Sequence, residues 1–121
     1  MYRQMLNSKI HCARVTQAEL EYEGSLTIDQ NLMDKVKIVP FEKILVANLE
    51  NGHRFETYAI PGTRKSGTIC LNGATAHHGK IGDRVTIFTF ATVPEARVRT
   101  HKPLIVRLDK HNRPVGSFRK S

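Results

Sequence analysis

The 121-residue sequence contains no tryptophan and no long hydrophobic run. Its longest apolar stretches, such as residues 43–48 and 85–90, are much shorter than the roughly 18 residues that a membrane-spanning helix needs. Residues 1–5 also lack the apolar centre of a secretory signal peptide. These absences predict a cytoplasmic protein that has no membrane partner.

Residues that commonly bind metal are also sparse. Cys12 and Cys70 are isolated from each other and form no C-x-x-C motif, so we expect buried small hydrophobic side chains, not a disulfide or metal ligands. The six histidines form no H-x-x-x-H or H-E-x-x-H pattern. The pair His77-His78 precedes Gly79, which favours a surface turn. The sequence therefore predicts no metal site.

The charge of the chain is strongly positive and unevenly distributed. There are 19 Lys and Arg residues against 11 Asp and Glu, a net charge of +8. Residues 94–121 contain eight basic and two acidic residues, a net charge of +6. We expect a solvated basic tail, because the charges are not interleaved with the several aromatic residues that base stacking requires. A small basic β-barrel that binds nucleic acid through this segment is the alternative.

The length is that of one domain, residues 1–121, and its patterning is mainly of the β type. Asn51-Gly52 separates two apolar segments, residues 44–50 and 53–60, and this dipeptide predicts a hairpin with a type I′ turn. Alternation along the second segment places Phe55, Thr57 and Ala59 on one face and Arg54, Glu56 and Tyr58 on the other. Further short apolar segments predict strands at residues 9–16, 68–71, 85–90 and 104–108.

Helical signals are few. Asp29 is a candidate cap for a helix over residues 30–36, and a short helical turn is expected to begin at Asn72. We therefore predict a mainly β barrel with a few short helices.

Several short motifs point to a family. The chain resembles the pyruvoyl-dependent aspartate 1-decarboxylases over residues 1–92, and the resemblance fades in the basic C-terminal segment. The motifs that carry it are Lys9-Ile-His11, Tyr22-Glu-Gly-Ser25, Ile28-Asp-Gln30, Asn51-Gly52, Arg54-Phe55, Thr57-Tyr-Ala-Ile60, Asn72-Gly-Ala74, Ala76-His77 and Gly82-Asp83.

The resemblance implies that the chain is a self-cleaving proenzyme. The Ser25 hydroxyl would attack the carbonyl of Gly24, a step that requires backbone strain at Gly24-Ser25 and a donor to the developing oxyanion, for which Thr57 is the candidate. The products would be chains 1–24 and 25–121, the second beginning with a pyruvoyl group made from Ser25. That group would form a Schiff base with aspartate, and Tyr58 would donate the proton after carbon dioxide leaves.

The resemblance also implies the residues that bind the substrate. Lys9 and Arg54 would bind aspartate. A cation on the carboxylate that leaves would stabilise the ground state, so we expect these two residues to hold the side-chain carboxylate instead. The remaining substrate-binding and orienting positions are His11, Thr57, Asn72, Gly73, Ala74 and Thr75.

The implied fold is a double-psi β-barrel, assembled as a homotetramer with active sites between subunits. The implied reaction converts L-aspartate to β-alanine and carbon dioxide for pantothenate and coenzyme A synthesis, with no metal and no pyridoxal phosphate, and a maturation factor is a possible partner. Three positions depart from the family: Ala47 replaces a common tryptophan, Thr86 an apolar residue and Thr75 a small apolar one. These departures leave substrate affinity open, and an unprocessed, precursor-like scaffold is the remaining alternative.

Overall fold

The computed structural model describes residues 1–116 and the backbone of residues 119 and 120. Strands predominate, and one short α-helix and two 3₁₀ helices connect them. In chain order the elements are β1 (Tyr2–Arg14), β2 (Gln17–Glu19), β3 (Ser25–Asp29), α1 (Gln30–Lys35), β4 (Lys43–Asn48), β5 (Arg54–Gly62), β6 (Ile69–Asn72), the first 3₁₀ helix (Gly73–His78), β7 (Arg84–Pro94), the second 3₁₀ helix (Glu95–Thr100), β8 (Leu104–Arg107) and β9 (Arg119–Lys120).

The strands form one sheet of mixed direction in the order β2-β6-β3-β5-β4-β7-β1-β8-β9. β1 is antiparallel to β7 and parallel to β8, and β3 lies between the parallel β5 and the antiparallel β6. The two strands that flank β3, the strand that begins with Ser25, therefore lie far from it in the sequence. The predicted mainly β fold with a few short helices is confirmed.

The core lies on one face of these strands. Ile10 pairs with Ile87, and Leu26 with both Ala59 and Leu71, and all five side chains are fully buried. Burying an aliphatic side chain of this size stabilises a fold by about 1.5–3 kcal/mol relative to leaving it exposed. On β1, β5 and β7 some alternate side chains, such as Lys9, Tyr58 and Phe88, face away from this core and are partly exposed.

Asp29 caps α1 as predicted. Its Oδ1 accepts a hydrogen bond from Asn31 N at 2.8 Å, and its Oδ2 accepts one from Gly67 N at 2.9 Å. The carboxylate therefore joins the helix start to the loop between β5 and β6. The helix ends at Lys35, one residue earlier than the pattern predicted.

The hairpin between β4 and β5 is present, but the predicted type I′ turn is wrong. Ala47 pairs with Arg54, and Asn48 N donates to His53 O, so the loop holds four residues, 49–52. Gly52 has a positive φ of 77° and Asn51 does not. Asn51 Oδ1 instead accepts from His53 N at 2.8 Å, a local bond that competes with the tighter turn.

The predicted faces of β5 are nevertheless confirmed. The observed pairing of β4 with β5 differs from the predicted pairing by two residues, and a shift of two residues keeps each side chain on the same side of the sheet. Phe55 and Ala59 are buried, whereas Arg54 and Glu56 are exposed.

The expectations for the cysteines and adjacent histidines hold in part. Cys70 is buried as expected, but Cys12 is only half-buried, because it lies with a φ of 63° at an irregularity in the pairing of β1. His77 is exposed, as a surface turn predicts, whereas His78 is half-buried and stacks on Phe55 with ring centroids 4.6 Å apart.

The C-terminal basic segment is not simply a solvated tail. β8 pairs with β1 inside the sheet, and the segment contributes Val106 and Leu108 to the core. Its basic side chains at Arg97, Lys102 and Arg107 are exposed, as expected. The side chains of Arg119 and Lys120 lie outside the described residues. Over the part of the chain that the structure describes, no helix is long and apolar enough to cross a membrane.

Candidate active site

Ser25 is the first residue of β3, and its side chain is fully buried. It pairs across the strands with Asn72, whose Nδ2 donates to Ser25 Oγ at 2.9 Å and to Thr27 Oγ1 at 2.8 Å. The Cys70 thiol donates to Asn72 Oδ1 at 3.2 Å. Because both ends of the amide are engaged, its orientation is fixed, and the Ser25 hydroxyl is held in one place.

The segment that precedes Ser25 lies against Gly73. Gly73 has a φ of 62°, and a Cβ built on it would stand 2.5 Å from Tyr22 O and 2.8 Å from Gly24 Cα. Only glycine permits both this backbone conformation and this approach. Thr75 Oγ1 donates to Asn72 O at 2.6 Å and lies 3.2 Å from Ser25 O, and its neighbour Ala74 is exposed. The predicted residues 72–75 are thus gathered around Ser25.

The strain that we expected at Gly24 is not seen in its φ angle. Gly24 lies outside the left-handed region, and a Cβ added to it would meet only Asn72 O, at 4.0 Å. The residue in the left-handed region is Gly73, which follows β6. Its lack of a side chain leaves the room that residues 22–24 occupy.

Thr57 and Tyr58 lie on the neighbouring strand β5. Leu26 pairs with Ala59, so Ser25 and Tyr58 each immediately precede a paired residue and lie at the same level of adjacent strands. Thr57 faces the side of Ala59 and is half-buried. Within residues 1–116, neither hydroxyl makes a side-chain hydrogen bond. Both predicted residues are therefore near Ser25 along the sheet, without contacting its side chain through a hydrogen bond.

Lys9 and Arg54 form a second group around Phe88. Lys9 Nζ lies 5.6 Å and Arg54 Cζ 6.0 Å from the centre of the Phe88 ring. In the part of the chain that the structure describes, no carboxylate forms a salt bridge with either cation. Their charges are thus available to an acidic ligand. The departures Ala47 and Thr86 pair with each other on the strands between β5 and β1.

His11 lies near this second group on β1. Its Nδ1 is buried without a hydrogen-bond partner. Burial lowers the pKa of His11, and the positive charges of Lys9 and Arg107 lower it further. The ring is therefore neutral at neutral pH, a form that can accept a proton.

Six residues of the site, of which Thr27 and Phe88 were not predicted, fall into two groups within one chain. Ser25, Thr27 and Asn72 form the first, and Lys9, Arg54 and Phe88 the second. No hydrogen bond between residues of the 1–116 segment joins them. An open groove of about 500 Å³ lies beside the second group and has Phe88 as a wall, and Ser25 does not line it. In the sheet, β5, β4 and β7 stand between β3, which carries Ser25, and β1, which carries Lys9.

Three participants were not predicted from the sequence: Thr27, Cys70 and Phe88. Thr27 follows Ser25 by two residues, and this spacing on a strand places both on one face, so the alternation could have identified it. Cys70 has the same relation to Asn72. The contact of Phe88 with two cations depends on pairing between distant strands, which carries no local signal.

Comparison with known proteins decides the family. The family model for aspartate decarboxylase matches residues 1–115. Aspartate 1-decarboxylase of Syntrophobacter fumaroxidans is 54% identical over 116 residues, which cover 96% of this chain and 94% of that protein. The chain belongs to the aspartate decarboxylase family. With this membership, the double-psi β-barrel expected from the resemblance is confirmed.

Other members of the aspartate decarboxylase family give the same result. The enzyme named aspartate 1-decarboxylase in Myxococcus xanthus is 53% identical, over 95% of this chain and 88% of that protein. The one in Thermoanaerobacter pseudethanolicus is 49% identical, over 96% of this chain and 99% of its own length. The match reaches residue 115, so it includes most of the basic segment in which the sequence resemblance faded.

Proposed function

We propose that this chain is an aspartate 1-decarboxylase that makes its own pyruvoyl group by cleavage between Gly24 and Ser25. Membership of the family supports the reaction, the conversion of L-aspartate to β-alanine and carbon dioxide. The observation that carries the assignment to this site is the buried Ser25 hydroxyl, held by Asn72 where Gly73 admits residues 22–24. Residues 1–121 act as one domain, which is cut into chains 1–24 and 25–121.

Cleavage begins when Ser25 Oγ attacks the carbonyl carbon of Gly24 and replaces its amide bond with an ester. The Thr57 hydroxyl is the candidate donor to the oxyanion that forms in this step. Elimination across Cα and Cβ of residue 25 then releases Gly24 as a carboxylate. One water hydrolyses the resulting enamine, and ammonia leaves. The balance is one water consumed and one ammonia released.

The surroundings of Ser25 fit a pyruvoyl group. Asn72 Nδ2 is a hydrogen-bond donor that already faces the Ser25 side chain, and Thr75 lies beside the Ser25 carbonyl, so Asn72 and residues 73–75 would hold the group. A pyruvoyl carbonyl supplies an electron sink for the pair of electrons that departing carbon dioxide leaves behind. The Asn72 amide and the backbone of residues 73–75 keep the group in one orientation.

The group of Lys9 and Arg54 binds the substrate, and Tyr58, which lies level with Ser25 on the adjacent strand, protonates it. Lys9 and Arg54 hold the side-chain carboxylate of aspartate, because both cations lack a carboxylate partner within the described residues. The carboxylate that leaves then remains in drier surroundings, where losing its charge is easier. Tyr58 donates the proton to the carbon that carbon dioxide leaves, and the neutral His11 assists in placing the substrate or moving a proton.

The strand order supports an oligomer with shared active sites, because β5, β4 and β7 stand between the strands that carry Ser25 and Lys9. A symmetric assembly repeats each contact, so the Ser25 group of one copy can meet the Lys9 and Arg54 group of another. We propose a homotetramer in the cytoplasm that supplies β-alanine for pantothenate synthesis. A maturation factor remains a proposed partner for the cleavage step.

The test is the intact mass of purified protein before and after incubation under maturing conditions. The wild-type chain should give two fragments, which together have gained one water and lost one ammonia, and should release carbon dioxide from aspartate. Ser25→Ala should remain a single chain without activity, because the nucleophile is absent. Ser66→Ala, which removes an exposed hydroxyl on a loop, should still be cleaved. An uncut wild-type chain without a ketone would refute the proposal.

A further inference from the structure

Phe88 on β7 lies between two cations that come from different strands. It pairs directly with Lys9 on β1, so the two side chains stand next to each other on the outer face of the sheet. Lys9 Nζ is 5.6 Å and Arg54 Cζ is 6.0 Å from the ring centre. Both distances are within the range, up to about 6 Å, at which the face of an aromatic ring attracts a cation.

Arg54 reaches Phe88 by crossing a strand. The local order is β5-β4-β7-β1, so two strand spacings, together about 10 Å, separate the backbones of Arg54 and Phe88. Ala47 of β4 lies between Arg54 and Thr86, and Phe88 follows Thr86 by two residues on the same strand, so Arg54 approaches the ring diagonally past Ala47. Its methyl group leaves the path open, whereas a large side chain at this position would obstruct it.

The arrangement brings two like charges to one aromatic ring. Repulsion would drive the long and flexible Lys9 and Arg54 side chains apart into solvent. The negative face of the ring partly offsets this repulsion and limits the positions that the side chains occupy. A carboxylate placed beside the ring would meet both cations, and the entropy lost in ordering them would be smaller.

We infer that Phe88 is a positioning residue, which holds Lys9 and Arg54 where they bind the side-chain carboxylate of the substrate. Phe88 therefore sets the preference for a dicarboxylate. This inference rests on the proposed function. Two strands, β5 and β4, stand between β7, which carries Phe88, and β3, which carries Ser25, so we expect the contribution of Phe88 to be to affinity and not to self-cleavage.

The test compares Phe88→Leu, which removes the ring, with Phe88→Tyr, which keeps an aromatic face. In the cleaved enzyme, Phe88→Leu should raise KM for aspartate by about three- to tenfold and change kcat by less than about twofold. Calorimetry should show succinate, a dicarboxylate without the amino group, binding more weakly by the same factor. Phe88→Tyr should retain the wild-type values. Mass spectrometry should show normal cleavage in both.

Phe90→Leu is the matched control. Phe90 is an aromatic residue on the same strand and stacks on Phe88 with ring centroids 6.4 Å apart, and 49% of it is exposed. Neither Lys9 nor Arg54 lies over its ring within the described residues. Its substitution should leave KM and succinate affinity unchanged.

Ala47→Leu provides a second, independent variant if Phe88→Leu fails to fold. It leaves the ring in place and obstructs the path of Arg54, so it should raise KM in the same way. Wild-type KM and succinate affinity in either folded variant would overturn the role of Phe88 and leave the proposed function standing. A wild-type chain that is uncut or inactive would instead refute the proposed function.

Discussion

Asn72 fixes the position of the Ser25 hydroxyl. Its amide donates to two hydroxyls and accepts from a thiol, and it is only 3% exposed. A buried amide that made no such bonds would cost about 1–3 kcal/mol, so the network resists reorientation. Ser25 and Asn72 were identifiable from short motifs. The thiol of Cys70, which completes the network, was predicted only as a buried isolated cysteine, although its two-residue spacing from Asn72 on a strand places both side chains on one face.

A substitution of Tyr58 should slow decarboxylation without preventing cleavage of the chain. Tyr58→Phe keeps the ring and removes the acidic proton, so the chain should still be cut at Ser25. The decarboxylation rate should fall by about 10²–10⁴-fold, the usual contribution of a positioned acid. Fragment masses and carbon dioxide release from the same preparation measure both effects. Tyr2→Phe alters a tyrosine that is 68% exposed and should change neither. Undiminished turnover in Tyr58→Phe would assign the proton to another group.

At the scale of elements, the first 3₁₀ helix and β3 together shape the proposed cleavage site. The helix begins at Gly73, directly after the β6 residue that pairs with Ser25. Residues 22–24 therefore pass over the start of a helix whose position the sheet determines. The sequence predicted this helical turn and the helix capped by Asp29. It did not predict β2 or β3, since three- and five-residue strands have too few alternations to stand out.

Gly73→Ala should impair maturation. The added Cβ would stand 2.5 Å from Tyr22 O, so residues 22–24 must move away from the helix, and scission should slow markedly or stop. Stability should also decrease, by about 1–3 kcal/mol, because the φ of 62° is strained for alanine. Timed mass spectra and thermal denaturation measure the two effects.

Gly52→Ala is the control for backbone strain alone. Gly52 has a comparable φ of 77°, and a Cβ there would meet nothing within 4 Å. It should lose stability and mature at the normal rate. Equal rates of scission in the two glycine variants would show that the approach of Gly73 to residues 22–24 is unimportant.

At the scale of the whole molecule, the division of the site residues into two groups on different strands is the main feature that local sequence patterns did not predict. The alternation on β5 correctly placed Arg54 and Tyr58 on one outer face. It gave no information on how far apart the two groups would lie, because that distance depends on the order of nine strands drawn from the entire chain. The basic segment was misjudged for a related reason. Its short apolar strand, β8, joins the core by pairing with β1, which lies about 95 residues earlier in the chain.

Mixing two inactive variants tests whether copies share active sites. We expect that Ser25→Ala co-expressed with Lys9→Ala in equal amounts recovers about a quarter of wild-type activity, since about a quarter of randomly formed sites would combine two intact halves. Each variant carries its own affinity tag, and carbon dioxide release is measured on the mixed assembly that is purified through both tags. Lys9→Ala mixed with Arg54→Ala should recover nothing, because both defects lie in the same half. Activity no higher than that of the separate variants would place each site within one chain.

The position of β1 predicts that the proposed cleaved molecule refolds differently from the uncut precursor. Residues 2–14 form an interior strand of the sheet, which pairs with β7 along most of its length and with β8 at residues 8–11. After the proposed scission, the 24-residue piece would be an interior component that could not leave without opening the barrel. Once separated by denaturant, the two pieces must find each other by diffusion, so recovery would become slow in dilute solution. The uncut precursor alone has the advantage of folding as a single connected chain.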